Sequence, residues 1–461
     1  MKKQFFYAAM ALAVMSSCSK DNDPGIGNPE ENNDKAVIAL GLDVPTVTAS
    51  TRGTGSVGDV AGDQNTWNSQ KLYIYMVDRN TGLEAEEGAE NAKTKILDNG
   101  VLEFRAPKAD AKDKGAIRIY KSYTEDSDNG VIQYKYYPTN GQYTFYGYHI
   151  DDAANANPSI TATEKKVTGV TIDSTQDLLA AKTIDMAEND ATAADPESFY
   201  KDIATSLGSE WTELMKYQFG ARTARKGIVP VLKFEHQLAR LKFFVRAGSA
   251  SAAGYEWQTS QWVERKSSDA AAKPLGMQVT KITLKDMANV VDMDLTVPSS
   301  TRNGAGVADF VVCSKDAAAN NKLDPTKGLI DPVVPKYPYE DANIPAQDPD
   351  TKGTQVGEPV MFFPIDDPDN GNITLSIDLK QYVEDTKDEA TGTITYKEVE
   401  KADNKLIIDQ SKISGATKKF MPGASYNVYI TIYGLEKIEV TAVLTAWENG
   451  GDIDADIEDG K

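Results

Sequence analysis

Cys18 follows Ser16 and Ser17, and ahead of them lie Lys2, Lys3 and an apolar run from Phe5 to Met15. Positive charge, a short apolar run and small residues before a cysteine mark an export segment that is cut just before that cysteine, whose thiol then takes acyl chains. The run is too short to cross a bilayer, which takes ~20 residues. An ordinary secretory signal cut elsewhere is the other reading. Arg52 and Gly53 sit in a Thr/Ser/Gly-rich stretch, and Arg52 is the only basic residue between Lys35 and Lys71. A lone basic residue in such a loop offers a protease one accessible bond. His149 and His236 are the only histidines, so a His-rich metal centre is excluded and a catalytic triad would have to use one of these two. Cys313, in Phe310-Val311-Val312-Cys313, reads as a buried small hydrophobe rather than a nucleophile. No acid/base constellation stands out from the abundant carboxylates, and no Gly-rich phosphate loop follows a strand. The residues therefore point to no enzyme and no cofactor.

The elements that must position these residues are strands. Ala36, Ile38, Leu40, Leu42 and Val44 share one parity, which predicts a strand of about nine residues, alone before the loop that carries Arg52. From Lys71 onward short alternating runs recur: 72–77, 101–105, 116–120, 131–137, 143–150 and 167–172. Asn99-Gly100, Asn129-Gly130 and Asn140-Gly141 supply turns between them. This is the pattern of a β-sandwich or barrel, not of an α/β fold. Asp195-Pro196-Glu197, followed by Phe199, Ile203 and Leu207 at helical spacing, predicts a short helix. In 231–246 the apolar parity switches: Leu232, Phe234, His236 and Leu238 are even, whereas Ala239, Leu241, Phe243 and Val245 are odd. Strands with a bulge near Leu238-Ala239 explain this, and a helix is the rival. His236 reads as a satisfied core histidine. Tyr134, Tyr136, Tyr137, Tyr143, Tyr146 and Tyr148 cluster; strand propensity accounts for them, and a sugar platform is the other reading.

The chain closes on Phe420-Met421-Pro422-Gly423-Ala424-Ser425-Tyr426 and two alternating runs joined at Gly434-Leu435-Glu436-Lys437. Tyr426, Val428, Ile430 and Ile432 share a face in the first; Ile438, Val440, Ala442 and Leu444 do in the second. The pair predicts a hairpin entered through a Pro-Gly turn. Beyond Trp447, Ile453, Ala455 and Ile457 alternate with acidic residues, as a strand or a frayed terminus. The 461 residues carry 69 acidic against 49 basic side chains, for a net charge of −20. Nucleic acid is thereby excluded as a partner, since phosphate binding needs a basic surface. With 2 cysteines there is no disulfide framework.

The Phe-x-Pro-Gly-x-x-Tyr ending at Phe420, the Phe-x-His-x-Leu-Ala-x-Leu-x-Phe run at Phe234, the isolated first strand and Arg52 together resemble the fimbrillins, subunits of the type V pili of Bacteroidota. Ser16-Ser17-Cys18 resembles a lipoprotein signal, with Met15 standing where Leu is usual. The resemblance covers most of the chain. It implies an all-β fold of two tandem transthyretin-like β-sandwich domains with a few short helices. The expected organisation is an export segment at 1–17, a tether and removable first strand at 18–52, sandwiches at 53–227 and 228–447, and an acidic tail at 448–461.

The resemblance further implies a pilus subunit on the outer membrane and cell surface, a fimbrium that supports adhesion. An arginine-specific protease would cut between Arg52 and Gly53 and release Ile38, Leu40, Leu42 and Val44. Subunits would then join into a homopolymer by strand exchange. Its partners would be other fimbrial subunits, that protease, an adhesion receptor, and the membrane through the lipid before maturation. The donor would come from Ile438, Val440, Ala442 and Leu444 together with Ile453, Ala455 and Ile457. The alternative is a surface glycan-binding lipoprotein that never polymerises. If Cys18 carries the lipid, Cys18→Ala abolishes acyl-group labelling and outer-membrane retention; unchanged labelling would exclude that site.

Overall fold

The computed structural model describes residues 36–43, 67, 69–106, 116–124, 129–150, 159–161, 165–186, 200–258, 261–265, 275–304, 306–316, 334, 353–365, 371–413, 419–435 and 438–445. Cys18, Val44, Arg52, Gly53, Ile453, Ala455 and Ile457 lie outside these. The fold is all-β with three short helices among the described residues: α1 (Lys201–Leu207), α2 (Ser209–Met215) and α3 (Ala221–Ala224).

The first half forms a sheet closed on itself. In order it runs β1 (Leu40–Asp43), β12 (Val231–His236), β11 (Leu178–Thr183), β8 (Tyr143–Ile150), β2 (Lys71–Asp78), β5 (Glu103–Arg105), β6 (Ala116–Thr124) and β7 (Asn129–Ile132). β1 also pairs with β6, which closes the ring and leaves β7 as an extra strand on β6. Strand alternation fills the interior: Leu72, Ile74 and Met76 of β2, Phe145 of β8, Leu179 and Ala181 of β11, Leu232 and Phe234 of β12 all share one core. Trp67, Tyr200, Trp211 and Leu214 add the large side chains. The Tyr200 hydroxyl accepts from the Val231 N–H at 3.1 Å and donates to the Val229 carbonyl at 3.2 Å, which fixes where β12 begins.

The second half is built on two four-stranded sheets. One is β20 (Thr354–Phe362), β13 (Ala239–Ala247), β23 (Ser425–Ile432) and β24 (Ile438–Thr445). The other is β19 (Val307–Ser314), β16 (Gln278–Ala288), β21 (Ile373–Lys387) and β22 (Ile394–Ile408). Leu241, Phe243, Val245, Ile282, Leu284, Phe310, Leu375, Ile377, Val428 and Ile430 belong to one core. A third sheet, β18 (Ser299–Arg302), β17 (Val290–Asp294), β10 (Lys166–Thr171) and β9 (Ser159–Thr161), takes strands from both halves. Its Val167, Val170, Val291 and Met293 share that core with Tyr75, Val77, Tyr146 and Tyr148 of the first ring.

The stretch 231–246 is neither a helix nor one bulged strand. β12 lies in the first sheet and β13 in the second, and the parity switch is a change of sheet. The chain passes between halves at Gln237-Leu238, not at 227/228. The Gln237 N–H donates to the Leu178 carbonyl at 2.8 Å and Leu238 is fully buried, which holds the corner. The Pro-Gly turn packs here: the Gly423 N–H donates to the Leu238 carbonyl at 2.8 Å, with Gly423 at φ +74°, a conformation natural to glycine. Its spacing to Tyr426 has a physical reason. The Tyr426 hydroxyl reaches back to accept from the Met421 N–H at 2.9 Å and donate to the Lys419 carbonyl at 3.2 Å. The Tyr426 ring meets Phe420 edge-on at 4.9 Å.

Cys313 is fully buried in β19, and burial pushes its thiol up to about 12. The thiolate is the reactive form. The native chain should therefore resist alkylation at pH 8 and label at one further thiol only in denaturant, measured by mass spectrometry; rapid native labelling would contradict the burial.

Candidate functional site

The closed sheet has one seam made by a short strand. The register of β1 with β12 is parallel, Gly41 opposite Val231, Leu42 opposite Leu232 and Asp43 opposite Lys233. Its register with β6 is antiparallel, Leu40 opposite Ile117 and Gly41 opposite Ala116. Before β1 proper, the Ile38 N–H donates to the Lys135 carbonyl and the Tyr137 N–H to the Ala36 carbonyl, each at 2.8 Å. The Gly41 N–H donates to the Pro230 carbonyl at 2.8 Å. Residues 36–43 thus use both backbone edges at once, one wall coming from β12 and the other from 116–117 and 135–137.

The side chains follow the same alternation. Ala36, Ile38, Leu40 and Leu42 point into the core, with Leu40 2 % exposed, whereas Val37 is 39 % exposed. Gly41 belongs to the opposite set, and a Cβ there would stand 3.0 Å from Val231 Cγ2. Burying Ile38, Leu40 and Leu42 is worth ~1.5–3 kcal/mol each, or roughly 5–9 kcal/mol together. A whole domain has a net stability of only about 5–15 kcal/mol. The ring without this strand, and with nothing in its place, stands near its stability limit. Reasoning from sequence located the strand but not its walls: Ile117, Lys135 and Pro230 carry no signal beyond local alternation.

β24 lies at the end of its sheet and pairs on one side, antiparallel to β23 from Ser425 opposite Thr445 to Ile432 opposite Ile438. Val440, Ala442 and Leu444 are in this strand, and Ile438 is partly buried against the second core. The structure does not bring β24 to the seam of its own chain; β1 occupies that place. The tail candidates Ile453, Ala455 and Ile457, the acyl site Cys18 and the cut at Arg52-Gly53 lie outside the described residues.

The tyrosine cluster is mostly interior. Tyr137, Tyr143, Tyr146 and Tyr148 are buried. Tyr148 stacks on Tyr73 at 4.6 Å, and burial raises its hydroxyl far above the usual phenol range. Burial likewise pushes Tyr143 up to about 12. These rings are core, not an open sugar platform. His236 is buried at the corner with Nδ1 2.8 Å from Asp177 Oδ2, the carboxylate itself fully buried.

No protein-family model and no curated protein matches the sequence. Among solved structures, one from Bacteroides uniformis described as a "putative cell adhesion protein" is 12% identical, with 91% of this chain and 100% of that chain covered at a TM-score of 0.41. One from Parabacteroides distasonis, described in the same words, is 9% identical, with 89% and 96% covered at 0.37. One from Bacteroides thetaiotaomicron, among "putative polysaccharide binding proteins", is 9% identical, with 89% and 96% covered at 0.30. These likenesses are too distant to carry a function across.

The inward parity makes a direct contrast. Leu40→Ala should destabilise the uncleaved chain by about 3 kcal/mol through transfer and cavity terms, while Val37→Ala should change it by less than about 0.5 kcal/mol. Denaturant titration of the first ring's transition reads both, and equal effects would contradict the seam.

Proposed function

We propose that the chain is a structural subunit of a surface filament that grows by strand exchange at the β1 seam. The observation that carries this reading is the double pairing of residues 36–43: one short strand closes the sheet and fills its core. Cleavage at Arg52-Gly53 separates this strand from the rest of the chain covalently. Its departure leaves β12 and the 116–117 and 135–137 wall as two unpaired edges above an apolar stripe. A strand from the next copy restores both ladders and supplies alternating side chains, as in strand addition generally. To meet the walls as β1 does, it runs parallel to β12 and antiparallel to β6.

The donor in this reading is β24 with the tail. β24 is an end strand held by one ladder and leads directly into the tail, so it can be given up at the cost of a single neighbour. The tail's apolar residues, Ile453 to Ile457, span roughly half of the ~30 Å that nine extended residues cover at ~3.3 Å each. The tail alone therefore leaves part of the seam unpaired, and part of β24 completes it. The export segment directs secretion, acylation of Cys18 then anchors the subunit to the outer membrane before assembly, and adhesion is the use of the resulting fimbrium.

Arginine-specific proteolysis of the purified chain tests this. Filaments should appear by electron microscopy with Gly53 as their N-terminus, while Arg52→Ala stays monomeric under the same treatment. Filaments from Arg52→Ala, or assembled material beginning at Cys18, would overturn the proposed cut. A chain lacking residues 448–461 should accept but not donate, shortening filaments when mixed with the full chain; unchanged lengths would place the donor elsewhere.

A further inference from the structure

Between the inward-facing Leu40 and Leu42 stands Gly41, buried although it belongs to the outward set. Its register partner on β12 is Val231. The Gly41 N–H donates to the Pro230 carbonyl at 2.8 Å, which draws the two strands together at this point. A Cβ on residue 41 would stand 3.0 Å from Val231 Cγ2, and 3.6 Å from both the Pro230 carbonyl oxygen and Val231 Cα. Contact between carbons is most favourable at ~3.5–4.0 Å, so a side chain at this position has to displace the valine methyl. Gly41 takes no left-handed φ, so the glycine here answers a lack of space and not a backbone need.

Val231 has little freedom to give way. Its N–H donates to the Tyr200 hydroxyl at 3.1 Å, and its carbonyl accepts from the Ile184 N–H at 3.0 Å. Its side chain is partly buried against the first core, and a β-branched side chain has few χ1 states to turn to. The wall at this point is therefore fixed through both its backbone and its side chain.

A strand that replaces β1 meets the same wall, in the strand-exchange reading on which this inference rests. To fill the core it sets apolar residues at the places of Leu40 and Leu42, and the residue between them then faces Val231. From β24 that residue is Glu439, Thr441 or Val443, and from the tail it is Asp454 or Asp456. Gly450 and Gly451 are the glycines between Ile438 and Ile457. Gly450 at this place would turn Asn449 toward the core, and Gly451 would turn Asp452 toward it. We infer that Val231 is a size filter that makes the seam favour the chain's own first strand over any donor from the C-terminal segment. While β1 is tethered it is both the better-fitting occupant and the one at high effective concentration, so the uncleaved chain stays closed to its neighbours. The cut removes the second advantage and lets the strand leave.

A double-mutant cycle in the uncleaved full chain tests the filter. Gly41→Thr, which presents at the seam what Thr441 would, should lower the midpoint of the first ring's denaturant transition. Adding Val231→Ala should restore most of that loss, a coupling that residues out of contact lack. A second measurement uses the full chain nicked after Arg52, with labelled peptides displacing the cut strand. Peptide 36–44 should bind about tenfold more tightly than its Gly41→Thr form, and Val231→Ala should narrow that gap to about twofold. Gly41→Thr tolerated as well as glycine in both measurements overturns the filter, and a loss that Val231→Ala does not relieve overturns Val231 as its source. Failure of peptide 36–44 itself to displace the cut strand would overturn strand exchange at the seam, while the cycle in the uncleaved chain decides the filter separately.

Discussion

The structure depends on a backbone constraint: two strand edges, β12 and the first two residues of β6 with the 135–137 segment, face one another with room for a single strand between them. Buried N–H and C=O groups have to be paired, and a sheet edge left open recruits another strand. β1 answers both edges, one in parallel and one in antiparallel register, while its Ile38, Leu40 and Leu42 fill the core beneath. The rest of the first ring can be read as scaffolding that keeps those edges at the right separation. Tyr200 pins the start of β12, and Trp67 packs edge-on against Phe234 at 5.2 Å on the same strand.

β12 also leads directly to the other end of the molecule. It turns at Gln237-Leu238 into β13, β13 pairs in parallel with β23 from Arg240 opposite Ser425 to Ala247 opposite Ile432, and β23 carries β24. The seam and the closing hairpin are thus joined by one continuous run of chain and one interstrand step. The corner between them is tied from several directions. His236 meets Asp177, Arg240 Nε donates to Ser425 Oγ at 3.0 Å, and the Arg240 N–H donates to the Ala424 carbonyl at 3.0 Å. A buried His–carboxylate pair contributes little net stability once desolvation is counted. Its value here is geometric: it fixes the angle at which one sheet hands over to the next. The two sequence motifs around His236 and around Gly423 are far apart in sequence and meet at this corner, where a Cβ on Gly423 would stand 3.7 Å from His236 Cβ.

Alternation was readable wherever one face of a strand is buried, so the parity of Ala36 to Leu42 and the hairpin from Ser425 to Thr445 were legible. Pairing partners were not, because parallel contacts such as β1 with β12 and β13 with β23 leave no local trace. The parity switch at Leu238 was visible, yet a bulge and a change of sheet produce the same signal. The sequence runs Ile373 to Leu379 and Leu406 to Ile408 read as strands, but they are only the two ends of the β21–β22 hairpin. Its middle alternates charged with polar residues and is held by cross-strand contacts such as Lys380 with Glu398 at 3.1 Å. The tyrosine run was legible as a cluster but not as core: Tyr137 and Tyr143 are buried inside the first ring, and Tyr146 and Tyr148 against the β9–β10–β17–β18 sheet, half of which comes from the second half of the chain.

The most direct measurement of the seam's capacity to take a strand in trans uses a chain beginning at Gly53 and a synthetic peptide of residues 36–44. Calorimetric titration should give one-to-one binding that raises the melting temperature of the first ring, and a peptide carrying Leu40→Asp should not bind. A Gly53 chain that stays fully stable and binds neither peptide would contradict strand exchange at this site.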